Sequence, residues 1–189
     1  MKKLFYLIVL IICVGCGKDT TLREGDIIFQ TEVNEESKAW RNLTGSDITH
    51  CGIIVKKDDG SYHVLHMHHN MMLTPLGSFI NHGFKNKYSV ARVTDKEIKI
   101  DFKKYMGSDK DYQLRLNNDS YYNAELVYHI YKEDFGIELC TPRPLCEYNI
   151  DSTFVGYYIH PQQPIVTPYD LYVSPKVRTI QSHYAKDAK

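Results

Sequence analysis

The sequence predicts an α+β fold in which an antiparallel sheet packs against helices. Two segments, residues 48–56 and 62–67, are rich in β-branched and apolar side chains, and an Asp-Asp-Gly turn typical of a hairpin separates them. In residues 117–135 a polar turn leads into a stretch whose apolar side chains recur at the i, i+3, i+4 spacing of a helix. We therefore expect a hairpin-containing sheet with this helix packed across it.

The chain begins with a pattern typical of an export signal. Lys2 and Lys3 precede an apolar run over residues 4–14, which is too short to span a bilayer of ~30 Å but suits a secretory peptide. Gly15 and Cys16 then complete a stretch that resembles a bacterial lipobox, in which the cysteine is acylated. We expect a signal peptide over residues 1–15, a lipidated tether over residues 16–21 and one domain over residues 22–189.

The expected location is the bacterial cell envelope, with the protein anchored through Cys16. Gly17, Lys18 and Asp19 weakly resemble a signal for the outer membrane or cell surface. Cys13 stands where a lipobox usually has leucine, so ordinary secretion or an uncleaved anchor stays an alternative.

Composition excludes one class of partner. Removal of the leader takes away two lysines and leaves a small acidic excess in a chain that otherwise balances 23 basic against 23 acidic residues. Without a basic stripe there is no electrostatic footprint for nucleic acid. The fifteen tyrosines suit a cleft that handles ligands.

The other elements follow from turn residues, proline positions and periodicity. In chain order they are a turn and strand within residues 22–30, a helix over residues 35–43 ending near Gly45, a helical turn over residues 75–82, a strand over residues 87–93 and a helix over residues 95–106.

The hairpin carries histidines on both strands. Because side chains alternate along a strand, His50 and Cys51 are expected to point to opposite faces of the sheet. Four histidines lie at positions 63, 66, 68 and 69, but the same alternation splits them between the faces, and no carboxylate or cysteine lies among them. Surface histidines are the preferred interpretation; a metal site is the alternative, and no cofactor is expected.

Two further features concern single residues. Asn123 falls in the first turn of the long helix, where its carboxamide is expected to cap the backbone. Cys140 and Cys146 could form a disulfide in an oxidising envelope.

Several stretches share one resemblance. They are GDIIFQ at residues 25–30, THCGIIV at 49–55, VLHM at 64–67, DYQLRLNNDSYYNAELVYHIY at 111–131, ELCTPRPLCEYNID at 138–151 and VTPYDLYVSP at 166–175. Together they resemble the permuted papain-like cysteine hydrolases of the NlpC type, in the YiiX and YaeF branch, which implies that fold for nearly all of the mature chain.

The resemblance implies roles for three residues. His50 takes the position of the base, His66 that of the residue orienting it, and Asn123 that of the nucleophilic cysteine. Glutamate is usual at the second position, but the related lecithin retinol acyltransferase group resembles this chain in having histidine there. The change at Asn123 is severe, because a carboxamide has no ionisable nucleophile.

Three functions follow as expectations. The first is a catalytically inactive envelope protein that binds a cell-wall peptide or a lipid or acyl ligand in its cleft, with Tyr112 at the rim. The second is an active amide or ester hydrolase that uses His50 with another nucleophile or an activated water. The third is a scaffold for a protein partner with a collapsed cleft.

Overall fold

The computed structural model describes residues 19–150 and 159–184, so the expected signal peptide and Cys16 lie outside the described residues. Its strands are β1 (Ile27–Gln30), β2 (His50–Lys56), β3 (Tyr62–Met67), β4 (Met71–Pro75), β5 (Tyr88–Arg92), β6 (Arg143–Pro144), β7 (Pro164–Ile165) and β8 (Arg178–Ser182). Six of them form one antiparallel sheet in the order β4-β3-β2-β1-β5-β8.

The helices are α1 (Glu35–Thr44), α2 (Leu76–His82), α3 (Asn123–His129) and α4 (Pro168–Tyr172). A π-helical turn, Ile130–Asp134, continues α3. The α+β class and the antiparallel sheet packed against helices are confirmed. Within the described ranges, no helix is long and apolar enough to cross a membrane.

Local sequence explains the central hairpin. β2 and β3 pair in register from Ile53 with Leu65 to Lys56 with Tyr62, on either side of the Asp-Gly turn. Gly60 has a φ of 82°, which glycine adopts without a steric penalty. The hairpin prediction is thus confirmed.

The sheet separates two hydrophobic cores. The larger one includes Phe29, Cys51 and Ile53 of the sheet together with Leu126 and Val127 of α3. The smaller one lies beneath α2 and consists of Ile28, Ile54, Val64, Phe79, Val90 and Ile180. Helix α3 therefore covers one face of the sheet, as expected, and α2 covers the other.

The helix expected over residues 95–106 is wrong. This stretch is irregular apart from a short 3₁₀ turn, Phe102–Lys104. Long-range contacts override the local pattern: the Ile100 N–H donates to Glu24 Oε1 at 2.8 Å, and the Ile98 side chain lies where a Cβ at Gly25 would stand.

The capping role expected for Asn123 is also wrong. Tyr122 is the N-cap residue of α3, and its backbone N–H donates to Glu125 Oε2 at 3.1 Å. Asn123 is the first helical residue, and its side chain bonds to the neighbouring strand instead.

The possible disulfide is not present. Cys140 and Cys146 are both free thiols, the first half-buried and the second exposed.

Candidate functional site

A buried histidine pair lies where β2 and β3 meet. His50 Nε2 and His66 Nδ1 are 3.0 Å apart, and the two side chains are 3% and 5% exposed. Gly52 permits this approach, because a Cβ there would lie 2.9 Å from the Cβ of His66 and 2.5 Å from Val64 Cγ1. The structure thus brings together the two histidines that the sequence singled out.

Thr74 extends the pair into a chain of hydrogen bonds. Thr74 is on the adjacent strand β4, and its Oγ1 lies 2.9 Å from His66 Nε2. If His66 donates to Thr74 through Nε2–H, its Nδ1 accepts from His50 Nε2–H. That tautomer leaves His50 Nδ1 as an acceptor, the form that a general base requires.

Glu32 favours this tautomer. Its Oε1 lies 3.6 Å from His50 Nε2, and its other oxygen lies 3.7 Å from His68 Nε2 and accepts from Asn34 Nδ2 at 2.8 Å. A nearby carboxylate stabilises a proton on the facing ring nitrogen. The proton of neutral His50 is therefore held at Nε2.

Both rings are neutral at physiological pH. Burial, together with positive charge at His68 and Lys110, lowers the pKa of His50 to about 3. Burial likewise holds the pKa of His66 well below its usual range. A neutral imidazole can accept a proton, but neither histidine provides a fixed positive charge.

Asn123 is held by the residues on either side of His50. Its Nδ2 donates to the Thr49 carbonyl at 3.2 Å, and its Oδ1 lies 3.6 Å from Cys51 Sγ. The His50 ring instead stacks on Phe79 of α2, with centroids 5.6 Å apart. In the described part of the chain, the hydrogen bonds of the Asn123 side chain run to Thr49 and Cys51 rather than to the His50 ring.

Cys51 lies on the face opposite the His50 ring, as strand alternation requires. It is fully buried in the larger core, and burial raises the pKa of its thiol far above the usual range. Cys51 is therefore no nucleophile for His50.

Tyr112 borders a groove near the start of α3. Its side chain is 60% exposed, and the groove is also lined by Trp40, Leu114 and the ion pair between Lys110 and Glu36, whose charged atoms are 2.5 Å apart. The Trp40 ring stacks on Tyr122, which directly precedes Asn123. The groove thus adjoins the N-terminus of α3.

The remaining hairpin histidines do not converge. His63 lies 3.4 Å from Ser61 Oγ, whereas the rings of His68 and His69 pack together near the turn before β4. Among the residues that the structure describes, no group of three or more His, Cys, Asp or Glu side chains could hold a metal ion.

Sequence reasoning missed three polar residues of this region. Glu32 follows β1, and Thr74 lies on β4, a strand that the sequence pattern did not predict. Glu125 lies outside the apolar spacing of α3 but is 1% exposed. Burial raises the pKa of its carboxyl to about 9, and its Oε1 has no hydrogen-bond partner within the described chain. Its position three residues after the N-cap, the partner position of a capping box, is the signal that could have revealed it.

An antiparallel sheet with α3 packed on one face, and with the hairpin that carries His50 and His66 earlier in the chain, agrees with the permuted papain-like hydrolase fold that the resemblance predicts, although the His50 ring faces α2 and does not meet Asn123. The chain belongs to the permuted papain-like amidase family YaeF/YiiX, also called C92, whose model matches residues 21–181.

Two relatives from Escherichia coli agree with this assignment. The chain is 27% identical over 175 residues to the uncharacterised protein YiiX of strain K12, covering 85% of this chain and 86% of that protein. It also superimposes on the crystal structure described as metalloprotein YiiX of strain O157:H7 with a TM-score of 0.77 and 26% identity, covering 86% of this chain and 98% of the other. The resemblance to the YiiX branch and the fold that it implied are confirmed.

Proposed function

We propose that this protein is a lipid-anchored cell-envelope protein that keeps the cleft of a papain-like amidase but binds its ligand without cleaving it. The observation that supports the proposal is that Thr49 and Cys51 engage both ends of the carboxamide of Asn123, the residue that we assign to the nucleophile position. A carboxamide cannot form the thiolate that attacks an amide or ester in this class.

Replacement nucleophiles are poorly placed. Cys51 is buried with a raised thiol pKa, and burial raises the pKa of Cys140 to about 12. Cys140 and Cys146 lie beyond α3, in the segment around β6, and the nearby Ser120 precedes the helix. Loss of a covalent nucleophile costs several orders of magnitude in rate, although binding and oxyanion stabilisation can retain about 10³-fold catalysis over water.

The groove suits a ligand that combines amide and apolar groups. Trp40 and Tyr112 offer aromatic surface, and the ion pair of Lys110 with Glu36 adds polar groups at the same wall; at about 30 Å³ the groove accommodates only a small part of a ligand. A cell-wall peptide or an acyl amide has this mixed chemistry. We propose these as the ligand classes.

One observation favours a second candidate, a hydrolase that uses activated water. The chain of hydrogen bonds from Thr74 through His66 leaves His50 Nδ1 able to accept a proton. Such a base could activate water against an ester or amide without a protein nucleophile, but burial lowers the pKa of His50 to about 3 and makes it a weak base, which ranks this candidate second.

The crystal structure of YiiX from Escherichia coli O157:H7 is described as a metalloprotein, so the candidate metal ligands of this chain are compared with what a metal site needs. The nearest candidate ligands are Glu32, His50 and His68, but His50 Nε2 is already 3.0 Å from His66 Nδ1, and the described residues contain no metal-binding group of three. The described residues around His50 therefore do not fit a metal ion.

The test compares turnover with binding in the form lacking residues 1–16. We expect no hydrolysis of cell-wall tetrapeptides or acyl esters above the buffer rate, together with measurable peptide binding by calorimetry. Tyr112→Ala should weaken binding about tenfold, whereas Val173→Ala, at an exposed position just after α4, should not. Turnover that disappears in His50→Ala would establish the hydrolase instead.

A further inference from the structure

We propose that the cleft opens at the end of the sheet that faces away from the anchoring membrane, so its ligand is a soluble or wall-attached peptide rather than a lipid of that membrane. This inference rests on the proposed acylation of Cys16. Of the two ligand classes proposed above, a cell-wall peptide and an acyl amide, it retains the peptide.

The start of the described chain is fastened to one corner of the sheet. Arg92 donates through Nη1 to Asp19 at 3.2 Å and through Nη2 to the Thr21 carbonyl at 2.6 Å, and Gln181 Nε2 donates to the Thr20 carbonyl at 2.6 Å. Arg92 is itself 3% exposed and fixed by two hydrogen bonds to Asp26 of 2.8 and 2.9 Å. The described chain is therefore fixed to this corner of the sheet from Asp19 onward.

The link from this corner to the lipid is short. Two residues, Gly17 and Lys18, separate Cys16 from Asp19. Since an extended chain covers at most ~3.3–3.6 Å per residue, Asp19 lies within roughly 10 Å of the acylated cysteine, whatever the conformation between them. The corner of the sheet that carries Arg92 is held close to the bilayer.

The groove and the histidine pair both lie at the opposite end of the strands, because Trp40 of the groove stacks on Tyr122 and the next residue, Asn123, bonds to Thr49 beside His50. Asp26 directly precedes β1, whereas Gln30 ends it and pairs with both His50 and Tyr88. Four residues of strand separate the two levels by about 13 Å at ~3.3 Å per residue. Arg92 ends β5 at the anchored level, and Tyr88 begins it at the level of the histidines.

We attribute the orientation of the domain on the membrane to the short link between Cys16 and Asp19 rather than to surface charge. The charged residues at the anchored corner neutralise one another: Arg23 pairs with Asp19 at 2.5 Å, and Arg178 pairs with Asp95 at 3.0 Å. The neighbouring exposed stretch, residues 95–99, alternates Asp95 and Glu97 with Lys96 and Lys99 and so carries both signs of charge. An acyl chain in the same bilayer lies on the wrong side of the domain for the cleft.

The experiment uses the full acylated protein in phospholipid vesicles containing a lipid with a nitroxide on its headgroup. Cys140 and Cys146 are replaced by serine, and one bimane label is attached either at Lys96→Cys, near the anchored corner, or at Asn70→Cys, in the turn between β3 and β4. Both positions are exposed. We expect the label at 96 to be quenched at least twofold more than the label at 70.

Vesicle flotation tests the proposed anchor, and the comparison of quenching at the two labels tests the orientation. If the protein does not float with the vesicles, or floats equally well as Cys16→Ser, both the proposed anchor and this orientation are wrong. If it floats through Cys16 but the two labels are quenched equally, or the label at 70 more, only the orientation is wrong.

A third readout addresses the ligand. A soluble cell-wall tetrapeptide should bind the anchored protein with a Kd within twofold of that of the form lacking residues 1–16. A tenfold weaker Kd on the vesicle would contradict a cleft that faces away from the membrane. Peptide binding to neither form would refute the ligand class while the quenching result still decides the orientation.

Discussion

Asn123→Cys places a thiol at the position to which the resemblance assigns the nucleophile, yet we expect this thiol to stay unreactive. The substitution removes the hydrogen bond to the Thr49 carbonyl and costs about 1 kcal/mol of stability. More important, His50 is a very weak base here, with a pKa lowered to about 3. An ordinary thiol has a pKa of about 8.5, so moving its proton to His50 would cost about 7 kcal/mol at about 1.36 kcal/mol per pKa unit.

The assay follows alkylation of the new thiol against pH by mass spectrometry of the peptide that contains position 123. Cys140 and Cys146 are replaced by serine, and buried Cys51 serves as an internal unreactive thiol. We expect a midpoint at or above about 8.5 that does not move when His50→Ala is added. A midpoint below about 7 that rises by a unit or more without His50 would refute the reasoning and show that the ring and the helix start form a working pair.

The remaining predictions concern stability, measured by urea unfolding. Unfolded histidine binds a proton below pH ~6.5 but buried His50 and His66 do not, so each should lower the free energy of unfolding by about 2 kcal/mol between about pH 6.5 and pH 5. His50→Ala should remove its own share of this slope and leave that of His66. The raised pKa of Glu125 changes stability in the opposite direction, so the free energy of unfolding should fall as pH rises from ~4.5 toward 9. The stability advantage of Glu125→Gln over the wild type should therefore grow between about pH 5 and pH 8. An advantage that stays constant with pH would contradict a protonated carboxyl. Gly52→Ala should cost about 1–3 kcal/mol, because its Cβ would lie 2.8 Å from the Leu65 carbonyl oxygen, whereas Gly77→Ala, where no described atom lies within 4 Å, should not.

Much of the sheet could be predicted because its signals are local. The hairpin follows from β-branched residues around an Asp-Gly turn, and its alternation places His50 and His66 on the same face. Helix α1 could be predicted for the same reason, since Asn34 caps its start and Gly45, with a φ of 68°, ends it.

The errors arise where distant residues decide the conformation. The stretch around Ile98 and Ile100 has the apolar spacing of a helix but is held in an irregular conformation by Gly25 and Glu24, which lie far earlier in the chain. The bonds of Asn123 could not be foreseen for the same reason. Its position at the start of α3 is a local property, but its partners depend on how α3 packs on β2.

The position of β8 has a consequence for how the molecule is made. β8 lies near the end of the sequence and covers the free edge of β5, pairing Ser182 with Ser89. Until β8 is synthesised and paired, β5 presents unpaired backbone groups along a sheet edge, the kind of surface on which chains aggregate. Because pairing across such a long stretch of chain is slow, the folding chain would pass through a stage in which this edge needs protection.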